Sequence, residues 1–178
     1  MIPGLPVAVT INPDEIMGRI PPGHKNTLGT AYHERASDIA QQNLLPAAVA
    51  GRYNMILDQS GKNPQKMESL AKSLTALGYK ITIIQAEATD LTAAERVYSR
   101  FTKGGRRYMP VALAATDYKC CIGDSYNRIK STYADEWRHY DTNTREARLV
   151  DSGTRASGKR TLGQRDGGHI GEVGGGLF

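Results

Sequence analysis

Short apolar runs alternate with helical patterns along most of this chain, and that alternation narrows the fold more than any other feature. Val7 to Ile11 alternates β-branched and small residues and closes on Asn12-Pro13, which stops a strand and begins a turn. Asn54 to Leu57 and Lys80 to Ala86 are two further runs, the first ending in Asp58. Near-continuous apolar strands separated by helices predict an α/β fold whose mainly parallel sheet is covered on both faces. In such sheets ligands bind beyond the carboxyl ends of the strands. Asp14 and Asp58 fall at those ends.

The intervening segments read as helices. Ala31 to Leu45 carries Ala36, Ile39, Ala40 and Leu44 at helical spacing, and Pro46 kinks or restarts it before Gly51. Asn63-Pro64 opens a helix whose inner stripe is Met67, Leu70, Ala71, Leu74 and Leu77, with Gly78 as its C-terminal cap. Thr89-Asp90 begins another that runs to Gly104-Gly105, and a last helix is predicted from Tyr118 to Tyr133. Two short strands, Trp137 to Tyr140 and Ala147 to Val150, flank a turn at Thr142-Asn143. These elements define one domain over residues 1–151. The remaining stretch, 152–178, is basic and has nine glycines in 27 residues, a composition that predicts disorder.

Composition excludes several functions. The most apolar run, Asn43 to Ala50, is too short to span a bilayer, and the N-terminus has no secretion-signal pattern. Cys120 and Cys121 are adjacent, so they neither staple distant segments nor match a metal-ligand spacing; they read as reduced thiols of a cytoplasmic protein. His24, His139 and His169 have no partners at metal spacing, and no site built from protein ligands alone is expected. The net charge of +5 sits in two clusters, at Lys103, Arg106 and Arg107 and in the tail. Neither interleaves aromatics as a single-strand platform does, which argues against nucleic acid and leaves phosphorylated small molecules as partners.

Three groups of residues carry possible chemistry. Asp14 is placed to take a proton from a substrate hydroxyl, or else to cap the short helix that follows. Asp58 and Ser60 either orient a substrate or form an Asx-type turn. Glu34 lies beside His33 on the first long helix, on the substrate side. Arg96 and Arg100 share a helix face, and Arg106 and Arg107 follow the double glycine, so this segment reads as an arginine lid over phosphate. No G-x-x-x-x-G-K-[S/T] loop occurs. The nearest matches, around Gly153 to Arg160 and Gly158 to Gln164, lie in the tail with no preceding apolar strand.

In this order the chain resembles the zeta-toxin family of P-loop kinases. The matching stretches are Ile11-Asn-Pro-Asp-Glu-Ile16, Tyr32-His-Glu-Arg-Ala-Ser37, Asn54-Met-Ile-Leu-Asp-Gln-Ser60, Leu77 to Ile83, Glu95 to Arg100, Gly105 to Pro110 and Arg138 to Asn143. The resemblance implies a three-layer P-loop-kinase-like domain in which ATP and magnesium phosphorylate a UDP-N-acetylamino sugar. It implies Asp14 as the base, Asp58 and Ser60 as sugar contacts, and Arg100 (or Arg96) and Arg107 as phosphate clamps. It also implies an antitoxin partner.

Asp58-Gln-Ser60 stands where the family has acid-Gly-Thr, which keeps an acid and a hydroxyl. The first strand and its phosphate loop have no counterpart, so weak ATP binding is expected. A fragment, a partner chain that supplies the loop, and a kinase-derived interaction protein that docks through its sheet edge and basic tail all remain open.

Overall fold

Strand β1 (Ala8–Ile11) ends where Pro13 removes a backbone N–H, and helix α1 (Pro13–Met17) begins there. In this computed structural model, residues 8–20, 30–104 and 119–156 are described. The N-cap of α1 is Asn12, whose side chain accepts from the backbone N–H of Asp14 at 2.8 Å. The capping alternative for Asp14 is therefore replaced: Pro13 takes the first helical position, and the cap falls one residue before it.

Helix α2 (Thr30–Asp38), a π-helical stretch (Ile39–Leu44) and helix α3 (Leu45–Ala50) form one continuous rod. The predicted kink at Pro46 takes this form. Pro46 cannot donate to the carbonyl four residues back, and the turn before it widens so that Leu45 N–H reaches Ala40 O, five residues back.

Strand β2 (Asn54–Leu57) pairs parallel with β1, Ala8 opposite Asn54 and Ile11 opposite Leu57. One more backbone bond, Asp58 N–H to Ile11 O at 3.1 Å, carries the pairing past the strand ends. The apolar faces of this pair and the rod close around Ile11, Ala40, Leu45 and Ala48, with Met55, Leu57 and Leu70 packed against them.

Helix α4 (Pro64–Ala76) follows most of the expected design: Asn63 accepts from Lys66 N–H at 3.0 Å, Pro64 is buried in the first turn, and Gly78 adopts φ +85° just past the end, but Leu77, expected on the inner stripe, falls beyond the helix and is exposed. Strand β3 (Thr82–Glu87) pairs parallel with β4 (Glu136–Asp141), which pairs antiparallel with β5 (Arg148–Thr154). Helix α5 (Asp90–Gly104) follows β3, and α6 (Lys119–Thr132) packs on α4 through a core of Ala71, Ile129 and Ala134.

Two findings depart from the sequence reading. The five strands of the described residues make two sheets, β1-β2 and β3-β4-β5, because β2 and β3 share no ladder among them. The last strand also runs beyond the boundary predicted at residue 151, through Thr154. Gly153 lies so close to Trp137 that a Cβ there would fall 2.3 Å from the indole Cζ2. Arg155 then reaches back to the end of α6, donating from Nε to Ala134 O at 3.0 Å and from Nη2 to Ser131 O at 2.9 Å. The glycine that reads as tail composition is a packing requirement of β5. Disorder is expected from residue 152 onward; residues 152–154 belong to β5, and the remaining 157–178 lie outside the described residues.

Candidate functional site

Parallel pairing of β1 and β2 brings their carboxyl ends side by side, which is why residues 46 apart in the chain meet: Asn12 Nδ2 donates to Asp58 Oδ2 at 2.8 Å. Asn12 thus does two things. Its carbonyl oxygen caps α1 and its amide nitrogen fixes the carboxylate of Asp58, so Asp58 points along the strand ends instead of closing a turn on itself.

A cleft of about 530 Å³ opens there. Asp14, Glu34, Asp58 and Ser60 all line it, together with Asp38, His33, Lys62 and Lys66. Its apolar floor is Ile11, Leu45, Leu57 and Met67. Asp14 stands at the rim with its side chain 64% exposed, and His33 Nε2 on α2 is 3.9 Å from its Oδ1. Exposure at that level leaves the carboxylate reachable by a ligand. The loop on the opposite wall is held by Gly61, at φ +68°, whose carbonyl accepts from the hydroxyl of Ser125 on α6. A residue with a side chain would be strained at that φ. Lys66 in turn reaches across the cleft to the side-chain carbonyl of Gln41.

The arginine segment lies elsewhere. Arg96 donates to the hydroxyl of Thr142 at 3.2 Å, to its carbonyl, and to Thr144 O at 3.1 Å, so its guanidinium holds the turn between β4 and β5. Arg100 is exposed on α5 and is not among the residues lining the cleft. Arg107 lies outside the described residues. Of the residues singled out in the sequence, four converge on one cleft, one serves a turn, and one stands apart.

Sequence reasoning missed Asn12, Asp38, Gln41, Lys62 and Lys66 as members of the cleft, and it gave His33 no role. The Asn-Pro pair held the signal for Asn12 as a cap. Its contact with Asp58 needs the sheet register, and the proximity of His33 to Asp14 needs the packing of α1 on α2.

Several charged groups of β4 and β5 pair with a neighbour. The backbone N–H of Asn143 and the guanidinium of Arg148 (3.1 Å) hold the Asp141 carboxyl below its usual range. Lys130 does the same to Asp151. Among the described residues, no group of three or more histidine, cysteine or acidic side chains is arranged to hold a metal ion. No described helix is long and apolar enough to cross a membrane.

Residues 7–154 match the zeta toxin family profile. The chain belongs to the zeta toxin family. Its fold is that of a chain from the PezAT chromosomal toxin-antitoxin system of Streptococcus pneumoniae, with a TM-score of 0.57 at 10% identity. The match takes in 84% of this chain and 63% of that one, so this zeta-toxin relative spans less than two thirds of the solved chain. No curated protein matches it. The family expected from the sequence and its α/β, P-loop-kinase-like class are both borne out.

Proposed function

We propose that this chain carries the acceptor side of a kinase of the zeta-toxin kind, binding a UDP-N-acetylamino sugar in the cleft at the ends of β1 and β2. The observation that carries this reading is the meeting of Asp14, Glu34, Asp58 and Ser60 in one cleft, with Asp58 oriented by Asn12. A sugar presents several hydroxyls, each both donor and acceptor. Oriented carboxylates accept from them in charge-assisted bonds, which are stronger than neutral ones. The apolar floor of Ile11, Leu57 and Met67 takes a ring face, and Lys62 and Lys66 bring positive charge to the same cleft for a diphosphate.

Asp14 is the base in this reading. Its carboxylate takes the proton from one sugar hydroxyl as that oxygen becomes a nucleophile, with His33 beside it to hold its orientation. Asp58 and Ser60 fix the ring so that one hydroxyl faces Asp14, which is the positioning part of catalysis.

ATP and magnesium would supply the phosphoryl group and neutralise its charge. The described residues do not fit that donor: Arg96 is occupied at the β4–β5 turn, and the sequence has no glycine–lysine phosphate loop. ATP therefore binds the chain alone with a dissociation constant of about a millimolar or weaker. A toxin role and an antitoxin partner belong to the same proposal and rest on family membership and the structural likeness.

Calorimetric titration with UDP-N-acetylglucosamine tests the reading. Asp58→Ala is expected to weaken binding about tenfold or more, as loss of a charge-assisted bond does. Equal affinity of the variant and the parent would overturn it, as would no binding by either. A second reading, a kinase-derived interaction protein, is favoured by the split sheet, and absence of sugar binding would put it first.

A further inference from the structure

The loop from Asp58 to Asn63 lines the cleft along its whole length and is fixed at both ends. Asp58 is held by Asn12 Nδ2 at 2.8 Å and by its own N–H on Ile11 O at 3.1 Å, and Asn63 by its cap on Lys66 N–H at 3.0 Å. Gln59, Ser60, Gly61 and Lys62 stand between these anchors. A bond to this middle stretch comes from another part of the molecule: the hydroxyl of Ser125 on α6 donates to Gly61 O.

Three observations give that bond a role beyond packing. Ser125 is 2% exposed, the one polar or charged side chain that is buried among the described residues. Burying a hydroxyl costs free energy unless a bond offsets it, and an alanine would fill nearly the same space without that cost. Gly61 has φ +68°, and a Cβ there would stand 3.9 Å from Ser125 Cβ, an ordinary contact. Space is therefore not what requires glycine at this position. The backbone conformation is, and in that conformation the carbonyl meets Ser125. Arg128, three residues on from Ser125, bonds Glu68 of α4 at 3.3 Å. One face of α6 thus grips both the loop and the helix that follows it.

We infer that Ser125 is a positioning residue of the acceptor cleft, which sets the Asp58–Asn63 loop so that Ser60 meets a ligand beside Asp58. Ser60 directly precedes Gly61, and its hydroxyl has a fixed place only while the peptide after it is fixed. Without Ser125 the Gly61 peptide turns more freely, since glycine admits several conformations, and a ligand must then order the loop at its own expense of affinity. The two sheets share no ladder among the described residues, so α6 is what brings the β3–β4–β5 side to bear on the cleft. The role of Ser60 rests on the proposed sugar reading; the hold on the loop does not.

Nitrogen-15 relaxation of the ligand-free chain, read at Gln59 to Lys62, and calorimetric titration with UDP-N-acetylglucosamine test this together. In Ser125→Ala the order parameters of these amides are expected to fall from the rigid range of about 0.85 to below about 0.6. Affinity for the sugar is expected to fall about fivefold. Combining Ser125→Ala with Ser60→Ala is expected to cost little more than the larger of the two losses alone, because Ser125 acts through Ser60. Additive losses, or a loop that stays rigid in Ser125→Ala, would overturn the inference. Arg128→Ala loosens α6 from α4 but leaves the Ser125 bond, so it is expected to change neither readout. A loss of affinity as large as that of Ser125→Ala would reduce Ser125 to a structural role. Gly61→Ala releases the loop by strain with Ser125 in place and gives the same two readouts should Ser125→Ala fold poorly. If the parent chain binds no sugar, the sugar reading falls, and the order parameters alone decide whether Ser125 holds the loop.

Discussion

The cleft at the ends of β1 and β2 and the turn between β4 and β5 are both built from charged residues, but they use them in opposite ways. Around β4 and β5, several charges have a partner that also serves the fold: Arg96 on the carbonyls of Thr142 and Thr144, Arg148 on Asp141, and Lys130 on Asp151. In the cleft, carboxylates gather on one surface: Asp14, Glu34, Asp38 and Asp58 face the same space, opposed by only a few cations. Gathering like charges costs stability, and a fold tolerates it where a ligand will meet them. On the proposed reading, the cleft residues serve binding and the turn residues architecture, although the sequence shows both as the same residue types.

The largest expected effect breaks function at the cleft and spares the fold. In a version of the chain joined to a phosphate loop, Asp14→Asn is expected to lower turnover about a hundredfold, the effect of losing a general base. Its thermal midpoint should stay unchanged, because Asn12 and not Asp14 caps α1. An unchanged rate per folded molecule would reduce Asp14 to a surface residue.

Next in size is a purely architectural loss. Arg155→Ala removes the donors that meet Ser131 O and Ala134 O at the end of α6, and denaturant unfolding should register about 2 kcal/mol of lost stability. Sugar affinity should not move. Arg96→Ala sharpens the contrast further, with about 1 kcal/mol of stability lost at the β4–β5 turn and unaltered titration of UDP-N-acetylglucosamine. If the sugar bound more weakly instead, Arg96 would belong to the site and the division drawn above would fail.

The smallest effect is a pH dependence confined to the second region. Asp141 and Asp151 have folded-state pKa values below the ordinary 3.8. Their stabilisation is full above that value and is lost as pH falls through the lower folded-state values. Thermal midpoints taken from about pH 5 down to about pH 2 should therefore fall less in Asp151→Asn than in the parent.

Local rules made much of this legible. Asn63-Pro64, the stripe from Met67 to Leu74 and the glycine at 78 are signals written within one helix, and α4 forms as they direct. Asp14 and Asp58 were readable as strand-end acids because a parallel α/β fold places ligands there. What escaped reading depends on register. The Asn12 bond to Asp58 and the Arg96 bonds to the turn join residues 46 or more apart, and no local pattern encodes them. The same holds for the split sheet, since each strand reads as a strand whether or not its neighbour is present. In β5, Gly153 reads in the sequence as tail composition, whereas it answers the close approach of Trp137.

The most direct test of the central claim, that the β1–β2 cleft binds sugar and the β4–β5 turn does not, is an amide-resolved NMR titration of the chain with UDP-N-acetylglucosamine. The account predicts shifts at Asn12, Asp14, His33, Glu34 and Asp58 to Gly61, with Thr142 to Thr144 and Arg96 silent. Shifts centred on Arg96 and the turn, with the cleft unmoved, would contradict it.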